Sequence, residues 1–329
     1  MSGGLDSSLI AAIALQTPSP YKTPITIKFS PQPVEDEKYA KLLEDVLDTP
    51  FEWVTISDSD ARQALREVVI YIDEPLENPI HIGTYLMAKR ARELGVKSVL
   101  TGDGSDEFFL GYQRIGCWLN GSAGDRNAAY LKLLPTMKRE QAIELYKEEA
   151  AILMRPIIDS FDRSVESFEN IDQVLLFERL DHLSEDHNMR VDRMTMAHGV
   201  EARVPFEDHR LVEFALHMPI TTLFGSSGKE WLGQAARLWV PSEIINRKKM
   251  HFPSLPDQWF RGEGTKWAYE VLLDQDARTR AWIKPDVLGR YLDEHKNQEA
   301  NHGRLLWGLM VLELWLQNLP AWREARMCV

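Results

Sequence analysis

Hydrophobic and polar positions in the first third of the chain follow two alternating periods. Ile25-Thr-Ile-Lys-Phe29, Phe51-Glu-Trp-Val-Thr-Ile56 and Val96-Lys-Ser-Val-Leu-Thr101 are short and rich in β-branched and aromatic residues, and they read as strands. Between them apolar residues recur at helical spacing. Ser7–Gln16 predicts a helix stopped by Thr17-Pro-Ser-Pro20, and Glu35–Leu47 gathers Tyr39, Leu42, Leu43, Val46 and Leu47 on one side. Ala61–Tyr71 follows a cap at Asp58 or Ser59, and Tyr85–Leu94 is a further helix. This alternation predicts an α/β fold with a parallel, doubly wound sheet over residues 1–112. From 113 to 329 the strand pattern fades. Helices are expected over Ala128–Arg155, Asp159–Phe168, Ile171–Met196, Leu211–His217, Lys229–Trp239, Gly264–Leu273, Lys284–His295 and Arg304–Leu319, with Gly121-Ser-Ala-Gly124 as a linker. The expectation is an α/β half followed by a large, mostly helical half packed on the same site.

Composition narrows the partners. The chain has 329 residues and a net charge of −12, and phosphate backbones need a clustered basic face, so nucleic acid is not an expected partner. The apolar run Leu305–Leu316 is shorter than the roughly 20 residues a membrane span needs and contains Glu313. It is expected to be a buried helix, not a membrane anchor. Cys117 and Cys328 fit no metal or disulfide spacing, which suits a reducing compartment, the cytoplasm.

The chemistry concentrates in two glycine loops. Ser2-Gly3-Gly4-Leu5-Asp6-Ser7-Ser8 opens a helix. Its glycines allow backbone N–H groups to approach an anion, the helix directs its positive end to the same spot, and its serines add hydroxyl donors. This is a phosphate or pyrophosphate cradle. Asp6 would repel phosphate unless a magnesium ion bridges the two, and Mg²⁺ is commonly held by one or two carboxylates plus phosphate oxygens. The second loop, Gly102-Asp103-Gly104-Ser105-Asp106-Glu107, follows a strand and brings three acids to the same sheet edge. Asp106 is the expected second magnesium ligand, and Asp103 is expected to face the reacting centre. Either loop alone is equally explained as a capped strand-to-helix turn. Gly225-Ser-Ser-Gly228-Lys229-Glu230 is not a Walker A loop, because its glycines are too close and Glu stands where Ser or Thr should bind the metal.

SGGLDSS at 2–8 resembles the PP-loop of ATP pyrophosphatases, a fold of the adenine nucleotide alpha hydrolase type. Together with GDGSDEFFLGY at 102–112 it is similar to the synthetase domain of class B asparagine synthetases. Asp73-Glu-Pro-Leu76, Val191–Phe206, and Gly228-Lys229 with Pro241–Lys249 and Phe252 fit the same family, so the likeness runs from residue 2 to about 262. The resemblance implies one asparagine synthetase-like domain over 1–329 that is an AMP-forming amide ligase. ATP would adenylate a carboxylate, most simply aspartate, and an amine or ammonia would then displace AMP. It implies that Ser2, Gly3, Gly4, Leu5, Asp6, Ser7, Ser8, Gly102, Gly104 and Lys229 bind ATP or pyrophosphate, that Asp6 and Asp106 hold Mg²⁺, and that Asp103, Lys229 and Glu201 serve catalysis. Glu201 and Arg203 read equally well as a structural ion pair.

The chain departs from that family in three places. It starts inside the first loop, with Ser2 where glutamine-using members carry a nucleophilic cysteine. The α/β half is therefore expected to lack its first strand. The nitrogen is expected to come from free ammonia, a separate glutaminase or another amine, and a homodimer is compatible with the family. Glu207 stands where an apolar residue is usual and His251 where glycine is usual, which leaves the acid substrate open. A lactam or amide synthetase of secondary metabolism and an inactive assembly module are the alternatives. Asp103 and the intact Asp6, Asp106 and Lys229 speak against them.

Overall fold

Strands β1 (Ile25–Phe29) and β2 (Glu52–Ile56) pair in parallel, Ile25 opposite Glu52 through Phe29 opposite Ile56. Strands β3 (Ser98–Leu100) and β4 (Glu201–Arg203) form a second parallel pair, Ser98 opposite Glu201 and Leu100 opposite Arg203. The computed structural model describes residues 2–18, 23–30, 35–122, 124–134, 137–225, 228–247 and 255–326. Lys248, Lys249, His251 and Phe252 lie outside the described residues.

The expected strands recur at their predicted places, and among the described residues they form two two-stranded sheets where a single doubly wound sheet was expected. A ladder needs an unbroken row of backbone partners. β3 is three residues long and pairs with β4, and no strand among the described residues bridges β1 to β3.

Several helices fall at or near their expected ranges. Glu35–Leu47 is helical over the predicted range, and Leu5–Gln16, Pro285–Lys296 and Gly303–Arg326 fall close to theirs. The expected single helix Ala128–Arg155 is instead three helices, Arg126–Leu131, Arg139–Leu145 and Glu148–Glu166. The run ends at Leu131 and helix resumes at Arg139 and again at Glu148. Within Ile171–Met196 the turn widens, and Glu178–Asn188 is a π-helix between two α-helical stretches. Such insertions are rare and often re-aim side chains at functional sites.

The chain divides into two compact units, each assembled from separated segments. The first comprises residues 1–57, 83–133 and 168–250 and contains both sheets; the second comprises 58–82, 134–167 and 251–329. The core of the first unit is built on Leu9, Leu43, Phe109, Leu110, Ile115, Phe206 and Leu232, all buried. In the second, Trp259 packs against Phe260, Trp267 and Trp307 with ring centroids 5.4 to 5.8 Å apart. The helix Gly303–Arg326 buries Leu305, Leu306, Leu309 and Met310 in that unit, as its sequence predicts. Glu313, fully buried on it, accepts bonds from the Arg278 and Thr279 N–H groups and from the Thr279 hydroxyl. That explains a charge in the middle of an apolar run. No helix among the described residues is long and apolar enough to cross a membrane.

Candidate active site

The first unit brings the two glycine loops together. Gly3 sits at φ +69°, and a Cβ on it would lie 2.6 Å from the Asp36 carbonyl oxygen. Only glycine permits that approach and that backbone conformation. The Gly3 carbonyl accepts a bond from Arg247 Nη1 at 3.1 Å, and the Arg247 guanidinium also pairs with Asp36. This fastens the loop. Gly4 is the N-cap of the helix Leu5–Gln16. The Ser2 and Ser7 hydroxyls bond each other at 3.0 Å and stand at that positive end, whereas Ser8 is fully buried and faces inward. Leu5 packs against the hydrophobic core.

The second loop is aligned by the β3–β4 register. Parallel strands leave a sheet at the same end, so the Gly102–Glu107 loop exits beside Val204–Glu207. Gly102 lies against the first loop, where a Cβ would meet Ser7 N at 3.0 Å. Gly104 adopts φ +83° and lies under Glu207. Ser105 donates to Asp6 Oδ1 at 2.7 Å across the loops.

Lys229 completes the junction. Its Nζ lies 2.6 Å from both Asp6 Oδ1 and Asp106 Oδ1. Burial alone would lower its pKa, but the Asp106 and Asp6 charges outweigh that and raise it above the ordinary lysine value. Lys229 sits at φ +54°, a left-handed conformation unfavourable for a side-chain-bearing residue. Gly111 makes room for it, because a Cβ there would fall 1.9 Å from Asp106 Oδ1 and 2.2 Å from Lys229 Cε.

A second group surrounds Asp103. Buried Arg190 donates to Asp103 Oδ1 at 3.0 Å. Glu107, buried beside it, accepts from the Tyr112 hydroxyl at 2.5 Å and lies 3.2 Å from His187 Nδ1. Burial first, then the Glu107 charge, hold the Tyr112 phenol well above its usual pKa. Asn188 Nδ2 donates to Glu207 Oε2 at 2.8 Å. His187 and Asn188 end the π-helix, and Arg190 follows directly. Its start is fixed by fully buried Glu178, which takes a two-pronged contact from Arg114 at 2.6 Å per prong and a bond from the Tyr130 hydroxyl. Burial disfavours the Arg114 charge, yet the Glu178 fork prevails and lifts its pKa. The wide turns thus connect a rigid ion-pair anchor to the residues facing Asp103.

Of the residues singled out in the sequence, Asp6, Gly102, Asp106 and Lys229 converge, and Gly3, Gly4, Ser2 and Ser7 form the adjoining turn. Glu201 does not join them. Its side chain is 61% exposed on β4 and pairs with Arg203. Sequence reading did not assign roles to Ser105, Gly111, Arg190 and Arg247; Gly111 stood within the second quoted motif, but its need for a missing side chain shows only in three dimensions.

Two carboxylates that already share one cation position offer the hard oxygen donors that magnesium takes together with phosphate oxygens. Among the described residues no cluster of three or more His, Cys, Asp or Glu could hold a metal by itself. Asp6 and Asp106 therefore fit a cation whose remaining ligands come from a nucleotide or water, and Lys229 fills that position here.

The sequence matches the asparagine synthase family over residues 1–317. It is 26% identical to asparagine synthetase [glutamine-hydrolyzing] 1 of Bacillus subtilis, covering 96% of this chain and 55% of that protein. It is 26% identical to the asparagine synthetase [glutamine-hydrolyzing] of Gallus gallus, over 99% of this chain and 51% of the other. The chain thus spans about half the length of the curated relatives it matches.

Proposed function

Because the chain belongs to the asparagine synthase family, we propose that it is an ATP-dependent amide ligase that forms AMP and pyrophosphate, with aspartate as the acid and asparagine as the product. The observation that carries this reading is the convergence of Asp6 and Asp106, from loops a hundred residues apart, on one cation position. Ser2, Gly3, Gly4 and Ser7 receive the pyrophosphate at the helix end. Asp6 and Asp106 would hold magnesium, which when bound would supply charge neutralisation for the diphosphate. Lys229 is a point charge that swings from the two carboxylates to phosphate oxygens when nucleotide enters. Asp103, held by Arg190, faces the acyl carbon's side of the loop and steers the incoming amine. The nitrogen arrives as ammonia or a small amine, supplied free or by a glutaminase.

The test is ATP–pyrophosphate exchange with aspartate and magnesium. Exchange in the wild type and its loss in Asp106→Asn support the reading; exchange that survives Asp106→Asn refutes the assigned site. A ligase for a different acid–amine pair is the second reading, favoured by the Glu207 carboxylate against Gly104. Exchange with another carboxylate, and none with aspartate, would establish it.

A further inference from the structure

Glu207 occupies a place that the pyrophosphate chemistry does not use. It ends the short 3-10 turn Pro205–Glu207 after β4, and its Cγ fills the space that a Gly104 side chain would take, 2.6 Å from the Cβ position. One carboxylate oxygen, Oε2, accepts from Asn188. The other, Oε1, is shut from solvent and finds no partner among the described residues, and the same holds for the Asn188 carbonyl oxygen Oδ1. Flipping the Asn188 amide would set its oxygen against Oε2, acceptor against acceptor, so the flip cures neither. A buried acceptor without a donor is costly. Two of them on a bonded pair of side chains ask for a ligand with several N–H groups.

The charge balance narrows that ligand further. Asp103, Glu107 and Glu207 face the same corner, and burial followed by the Glu107 and Asp103 charges pushes the Glu207 carboxyl above its ordinary pKa. The neighbours that answer these acids are Arg190 on Asp103, and Tyr112 and His187 on Glu107. His187 also bears on Glu207 and partly offsets the acid charges, while no salt bridge ties Glu207 to a cation among the described residues. A carboxylate substrate is repelled from this corner and a cationic amine is drawn to it. Resting on the ligase reading, we propose that Glu207 is a specificity-determining residue, its Oε1 and Asn188 Oδ1 together receiving N–H groups of the acyl-accepting amine, an ammonium ion or a small primary ammonium. The side chain keeps partial exposure, and a small turn of its terminal torsion, which has broad wells, opens Oε1 to that ligand.

The experiment compares the wild type with Glu207→Gln, Glu207→Leu and, as an exposed control, Glu213→Gln. Melting is measured in 0.1 M ammonium chloride against equal sodium chloride, without turnover. The expected ammonium-specific rise is about 2 °C in the wild type and the control and vanishes in both Glu207 variants. In amide formation the KM for ammonium rises at least about tenfold in Glu207→Leu, the loss of roughly one charged hydrogen bond. The KM for aspartate in pyrophosphate exchange stays unchanged. Glu207→Gln keeps the shape without the charge and covers the case in which the leucine variant does not fold. An ammonium rise that persists in both Glu207 variants, its absence from the wild type, or a change in the aspartate KM alone overturns the proposal. A Glu207-dependent rise in a protein that shows no aspartate-dependent exchange upholds Glu207 and overturns the ligase reading instead.

Discussion

Replacing Lys229 with Met removes the ammonium that bridges Asp6 and Asp106. Both carboxylate oxygens lie 2.6 Å from the ammonium, so they are no farther apart than twice that distance. At an effective dielectric near 20 two charges so placed repel by about 3 kcal/mol. Stripping one partner from a buried ion pair costs about 3–5 kcal/mol. The aspartate side chains keep roughly a fifth of their exposure, which favours the lower end, about 3 kcal/mol. Thermal melting at neutral pH should therefore fall by about 4 °C. Adding Asp106→Asn to the variant should restore most of it, because one carboxylate needs no shared cation. Millimolar magnesium chloride should also stabilise Lys229→Met more than the wild type, by taking the emptied position. A single variant as stable as the wild type, or a double variant no better than the single, would refute the reasoning.

Other expectations follow from the same geometry. Arg114→Met should destabilise by about 3–5 kcal/mol in urea unfolding, since it strands fully buried Glu178. Arg114→Lys should recover little of that, because an ammonium cannot make the fork. Gly111→Ala should abolish pyrophosphate exchange, as its Cβ would overlap Asp106 and Lys229, while Gly124→Ala, with open space around it, should leave exchange unchanged. The raised pKa of Glu207 means that its contribution to stability is fully present below the ordinary glutamate value and is lost as pH rises through the raised one. Glu207→Gln should therefore melt higher than the wild type at pH 7, with the gap closing on acidification below that window; equal melting at both pH values would contradict this.

The strands and most helices were legible because their pattern of apolar and polar residues lies within a few consecutive positions. Ile25–Phe29 alternates apolar and polar residues, and Glu35–Leu47 repeats at helical spacing. The Asp6–Asp106 encounter was legible for a different reason, since an acid in an anion cradle makes electrostatic sense only with a cation and a second ligand. Three things were hidden. The sheet's division depends on which strands find partners, a long-range matter. The π-helix Glu178–Asn188 has no local periodicity of its own and follows from the Arg114–Glu178–Tyr130 anchor. Glu201 looked functional through its motif, but its β4 position turns it into solvent, with Arg203 its close partner.

The central claim is that Asp6 and Asp106 share one divalent cation beside a pyrophosphate cradle. Electron paramagnetic resonance titration of manganese in the presence of pyrophosphate tests it most directly. The account predicts one manganese site per chain that is lost in Asp6→Asn and equally lost in Asp106→Asn. Manganese binding that persists unchanged in either variant would contradict it.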